Sequence, residues 1–205
     1  TDNYQGLKGK LSYRLKNKYL MDLNLAYSGS NRFPAYKRYG LFPALSVGWI
    51  ASEDLFKTNT NNDFLKLRAS IGQTGNTITP YYEYLPAFGG TSSAYFGNPA
   101  TALNGLTELR ILNTSVTWET ALKANIGVDF SLLKNRLQGS IDFFNEDNNN
   151  ILVQNAVSVM YGGNIREPIG KMNNKGYEVN IVWNDAISNV DYFISLNYSF
   201  VRNKI

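Results

Sequence analysis

The sequence predicts an all-β fold: an antiparallel transmembrane β-barrel segment of about eight long meander strands, with alternating short periplasmic turns and long external loops. Three observations predict it. Apolar residues recur at every second position over stretches of roughly ten residues, the length of a membrane-crossing strand. The connections alternate strictly between short and long. Aromatic residues gather at both strand ends, where the two interfaces of a bilayer favour them.

Each strand has one apolar and one wet face. In Leu7–Leu15, Leu7, Leu11, Tyr13 and Leu15 alternate with Lys8, Lys10, Ser12 and Arg14. Tyr19, Met21, Leu23, Leu25 and Tyr27 alternate with Asp22, Asn24 and Ser28. Leu41, Pro43, Leu45, Val47 and Trp49 alternate mostly with small residues. Pro43 cannot donate to a ladder, so a bulge is expected near Gly40–Pro43. Leu65–Ile71, Leu122–Phe130, Leu137–Phe143, Tyr177–Trp183 and Tyr192–Phe200 repeat the pattern. Mid-strand apolar residues such as Leu45, Ile126 and Leu196 are expected to contact acyl chains. The opposite faces, carrying Lys66, Arg68, Lys123, Asp129, Asp142 and Glu178, are expected to line a lumen.

Lys16–Lys18, Ser52–Asp63, Leu133–Asn135 and Asn184–Asn189 are the short connections, with room for one helical turn in Ser52–Asp63. Gly29–Arg38, Asn76–Val116 and Glu146–Asn174 are the long ones. Short and long connections are expected at opposite ends of the sheet. One aromatic girdle is expected from Tyr13, Tyr19, Trp49, Phe130, Trp183 and Tyr192, and the other from Tyr27, Tyr39, Trp118, Phe143, Tyr177 and Phe200.

Composition narrows the function. Charged residues are 18% and aromatics 14%, which suits surfaces that meet lipid or sugar better than a soluble domain's surface. The net charge of +4 is too scattered for a nucleic-acid footprint. No Cys and no His are present, which removes thiolate chemistry and the commonest general base and metal ligand. No catalytic residue, metal site or cofactor is expected. Gly72-Gln73-Thr74-Gly75 lacks the Lys and the helix of a phosphate loop. Glu146-Asp147-Asn148-Asn149-Asn150 offers oxygens to Ca²⁺ but in no recognised order, and reads more simply as a solvated turn. Gly162-Gly163 reads as a loop turn.

Several stretches resemble the SusC/RagA family of TonB-dependent outer-membrane transporters. Arg38-Tyr39-Gly40-Leu41-Phe42-Pro43-Ala44-Leu45-Ser46-Val47-Gly48-Trp49 is similar to that family's barrel strand ending in Gly-Trp, and Ser52-Glu53-Asp54-Leu55-Phe56 to the turn that follows. Leu65–Asn76 resembles the next strand with its Gly-x-x-Gly-Asn end. Trp118-Glu119 leading to Asn125-Ile126-Gly127-Val128-Asp129-Phe130 resembles a third, and Gly170–Glu178 the family's Asn-x-Gly-x-Glu entry. These motifs run through nearly the whole chain in order, and they place Pro43 within a recurring pattern.

The resemblance implies a partial barrel domain over residues 1–205, with the plug domain and remaining strands outside it. Such transporters form plugged barrels of about 22 strands. It also implies import of an oligosaccharide or peptide, a SusD-like lipoprotein partner, energy from the TonB complex through the absent N-terminal part, and location in the bacterial outer membrane. The other readings are a soluble β-sandwich carbohydrate-binding module and a passive porin-type channel. Tyr81, Tyr82, Tyr84, Phe88, Tyr95 and Phe96 in the longest loop are the candidates for contact with ligand or partner. Contact with sugar, contact with a partner protein and packing of the loop on itself remain alternatives for these rings.

Overall fold

Alternation of apolar and polar residues lets one strand face two different surroundings, and the chain repeats that solution from end to end. The computed structural model describes residues 2–56, 63–77, 79–110, 112–155 and 165–205. Its strands are β1 (Tyr4–Leu15), β2 (Tyr19–Ser30), β3 (Tyr39–Ile50), β4 (Phe64–Asn76), β5 (Ala87–Phe96), β6 (Thr101–Arg110), β7 (Glu119–Leu132), β8 (Leu137–Asn155), β9 (Ile165–Ile187) and β10 (Val190–Lys204). Eight of them form one antiparallel sheet in the order β1-β2-β3-β4-β7-β8-β9-β10, and β5 and β6 pair apart as a hairpin. The sheet is open, with β1 and β10 at its edges. It has no second sheet stacked on it among the described residues, so the sandwich reading fails on architecture. Among the described residues, helix is confined to α1 (Ser52–Leu55) and a 3₁₀ turn at Ala35–Lys37. No described helix is long and apolar enough to cross a membrane.

The short turns use left-handed backbone. Lys16 and Asn17 have φ of 51° and 56°, the mirror-image turn whose twist matches a hairpin. Leu133, Lys134 and Asn135 share positive φ, and Ser188 alone does so where β9 passes into β10. These turns lie at the same end of the sheet as α1. The one helical turn expected in Ser52–Asp63 is α1, while residues 57–62 lie outside the described residues, as does Gly162-Gly163.

Register places paired residues on a common face. Leu11, Leu23, Leu45, Ile71 and Ala124 form one cross-strand row, and Ala69, Ile126, Phe143, Tyr177 and Phe200 another. Between the two aromatic girdles this face carries no charge. Its side chains are widely exposed, with Leu11 at 65% and Ile126 at 65%. A water-soluble sheet would bury such a face; a membrane strand presents it to acyl chains.

Four expectations need correction. Glu146–Asn174 is not mainly a loop: β8 continues to Asn155 and β9 begins at Ile165, so the hairpin runs well past the girdle. The longest connection is not irregular, because it contains the β5–β6 hairpin. Pro43 sits in unbroken register against Leu25, and the ladder to β4 starts only at Ala44. The missing N–H thus falls where β3 pairs on one side, and no bulge is needed. Trp118 is not in the girdle. It is 5% exposed and packs with Phe33 and Val116 in a small core to which Phe42, Tyr84 and Leu152 add.

That core ties the three long connections together. The Phe33 and Trp118 rings lie 4.9 Å apart, and Phe42 meets Trp118 edge-on at 5.2 Å. The Phe42 ring lies across Gly75, where any side chain would collide with it. Polar contacts close the cluster: Trp118 Nε1 donates to the Arg38 carbonyl at 3.2 Å, Tyr36 Oη to Thr114 O at 2.7 Å, and Lys37 Nζ to Ser115 O at 2.9 Å.

Candidate functional site

The polar face is built around Arg68 on β4. Alternation brings Lys66, Arg68, Lys123, Asp129, Asp142 and Glu178 to this one face. Arg68 Nε donates to Asp129 Oδ1 and Oδ2 at 3.1 and 3.2 Å, and Nη2 to Asp142 Oδ2 at 2.6 Å. Nη1 donates to Asn125 Oδ1 at 3.3 Å, and Lys66 Nζ lies 3.9 Å from Asp129. Arg68 reaches β8 by passing over Gly127, where a Cβ would stand 2.7 Å from both its Cζ and Asp142 Oδ1. Lys123 pairs with Glu146 at 3.4 Å, two alternation steps from Arg68 toward the long connections. Glu178 stands opposite Asp142 and lines a polar hollow of about 280 Å³ with Ser140, Asn180, Asn197 and Ser199. A second hollow of about 200 Å³ is edged by Asp22, Ser46, Gly48, Lys66, Arg68 and Asn125. These donors and acceptors can hydrogen-bond a hydrated polar solute.

The six loop aromatics divide. Tyr84 packs against the Phe33–Trp118 core. Tyr81 lies under the Arg32 guanidinium at 4.2 Å, and its hydroxyl donates to Asp2 at 3.3 Å. Tyr82 has φ of 54°, and its carbonyl accepts from Arg110 at 3.0 Å. Phe88, Tyr95 and Phe96, on the β5–β6 hairpin, are instead 65%, 71% and 60% exposed. Leu103, Leu106 and Leu109 on the same hairpin are equally open.

Sequence reasoning passed over the groups that hold this hairpin. Arg110 donates to the carbonyls of Leu85 and Tyr82 and to Glu83 Oε2, at 3.0, 3.0 and 3.3 Å. Glu83 also lies 3.9 Å from Arg166 on β9. Arg32 donates to the carbonyls of Thr77 and Thr79 and to Asp2. The Arg32 hydrogen bond holds the Asp2 carboxyl below the usual carboxylate range, and Asp2 raises Arg32 in turn. At the opposite end, Lys18 is raised by its hydrogen bond to Asp54, which also accepts from Trp49 Nε1.

The oxygen-rich run Glu146–Asn150 lies inside β8, not in a turn. Asp147 accepts from the amides of Asn145 and Asn173 at 2.9 and 2.6 Å. No group of three or more His, Cys, Asp or Glu suited to a metal occurs among the described residues.

A family model described as TonB dependent receptor-like, beta-barrel, matches residues 1–205. TonB-dependent receptor P39 of Formosa agariphila is 30% identical over 100% of this chain and 20% of its own length. TonB-dependent receptor SusC of Bacteroides thetaiotaomicron is 30% identical over 95% of this chain and 20% of its own. The chain thus spans about a fifth of the curated relatives it matches. Among solved structures, the RagAB peptide importer in its open-open state superposes with a TM-score of 0.86 at 20% identity, over 98% of this chain and 22% of that one.

Proposed function

Because this chain belongs to the TonB-dependent receptor-like β-barrel family, whose members are outer-membrane receptors and transporters rather than enzymes, we propose that it forms part of the barrel wall of a TonB-dependent importer of glycans or peptides. The observation that carries this reading is the two-faced sheet: an exposed apolar face, free of charge between the girdles, backed by an ion-paired polar one. The apolar face meets acyl chains. The polar face, with Lys66, Arg68, Lys123, Asp129, Asp142 and Glu178, lines the lumen. The remaining strands and an N-terminal plug that contacts the TonB complex belong to the rest of the parent protein. Phe88, Tyr95 and Phe96 offer open rings above the barrel, suited to a SusD-like lipoprotein or to the substrate itself.

Uptake tests this. Cells carrying the parent protein should take up size-defined oligosaccharides or peptides in a way that stops when the proton gradient is collapsed. Undiminished uptake without the gradient would make the barrel a passive channel.

A further inference from the structure

On the apolar face of β8, β9 and β10, the row Phe143–Tyr177–Phe200 is a boundary. Toward the short turns the face carries residues such as Val179, Ile181 and Leu196. One alternation step the other way, Asn145, Lys175 and Arg202 stand in a single cross-strand row. The next row is Asp147, Asn173 and Lys204, and Lys171 continues the same face by alternation. All four cations are exposed.

Lys175 and Arg202 are directly paired across β9 and β10. Like charges directly opposite destabilise a sheet unless something neutralises them. Neither makes an ion pair among the described residues, whereas Lys66, Arg68 and Lys123 on the other face all do. Asp147, the nearest acid on their face, is committed to amides. The two cations stand about 7 Å beyond the aromatic row at a rise of about 3.4 Å per residue, which is headgroup depth.

We propose that Lys175 and Arg202, with Lys171 and Lys204 around them, bind the phosphate-bearing headgroup of an outer-leaflet lipid. The proposal rests on the reading that the apolar face meets lipid and the long connections face outward. Arg202 supplies a planar fork for two phosphate oxygens, and Lys175 a compact charge beside it. The phosphate removes the repulsion between them. The aromatic row beneath receives the first methylenes of the acyl chains.

The test uses the intact parent barrel in phosphatidylcholine nanodiscs doped with lipid A or with its dephosphorylated form, with retained lipid measured by mass spectrometry after detergent exchange. The wild type should retain lipid A preferentially. K175Q/R202Q should lose that preference by about thirty-fold, from about five-fold per cation at an anionic lipid surface. K175R/R202K should keep it, and K134Q, at a short turn, should not change it. Equal retention of the two lipids by wild type, or undiminished preference in K175Q/R202Q, would overturn the proposal. Failure of the barrel reading itself looks different: the wild type would not enter nanodiscs as a heat-modifiable band.

Discussion

Arg68 crosses one strand, β7, to reach Asp142: its Nη2 lies 2.6 Å from Asp142 Oδ2, and only the absence of a side chain at Gly127 leaves room for the crossing. Arg68→Met leaves Asp129 and Asp142 without their shared cation. Arg68 is a third exposed, so solvent screens part of the loss. The expected destabilisation is about 1–2 kcal/mol, read as a lower urea midpoint for the folded parent barrel. Arg68→Met with Asp129→Asn and Asp142→Asn should recover most of it. Gly127→Val should mimic Arg68→Met. A midpoint unmoved by either single change would mean the network contributes nothing.

The apolar face predicts an asymmetry. Leu45→Arg or Ile126→Arg should lower folded yield, since Arg at the bilayer midplane of a barrel costs about 2–4 kcal/mol. Spin labels on Cys placed at 45 and 126 should relax most with lipid-soluble oxygen. Labels at 68 and 123 should respond to a water-soluble quencher. Equal water access at all four positions would end the membrane-barrel reading.

Trp118→Ala removes the largest ring of the loop core. Such a truncation costs about 3–5 kcal/mol where the site stays packed. Hydrogen exchange should speed up in 31–38 and 112–118 while the amides of β7 and β8 below the girdle keep their protection. Uniform loss of protection along the strands would show that core and sheet form one cooperative unit.

The Asp2–Arg32 pair has a predictable pH sign. Asp2 is held below its ordinary 3.8, so the pair contributes fully above that value and is lost as pH falls through the depressed one. Arg32→Gln should move the Asp2 carboxyl back up toward 3.8 in a carbon NMR titration. An unchanged titration would show that the pair is not formed in solution.

Strand identity and face were legible because a period of two is unambiguous where one side meets lipid. Leu122–Phe130 and Tyr192–Phe200 show it plainly. Beyond the girdle both sides are wet, so Asn145–Asn150 and Arg166–Asn173 carry no alternation and read as loop although they are strand. The β5–β6 hairpin was hidden for a related reason: Gly89-Gly90-Thr91-Ser92-Ser93 is small and polar on both faces, and a register shift there breaks what period remains. The polar face was legible residue by residue, but not its partners. Asp129 and Asp142 lie 61 and 74 positions from Arg68, and only register reveals that Asp142 stands in its cross-strand row and Asp129 in the next. Trp118 has an aromatic's ordinary place at a strand end, and nothing local announces that Phe33 covers it.

Among the described residues, Phe33, Val116 and Trp118 form the one cluster of buried apolar side chains, and Ala51 is buried apart from it at the short-turn end. On the strands, apolar side chains stay exposed on one face even with the ladders formed. Heat capacity of unfolding comes from apolar groups entering water. In this chain the loop cluster contributes to it through Phe33, Val116 and Trp118. The loop cluster follows a curved stability profile with temperature and weakens on cooling as well as on warming.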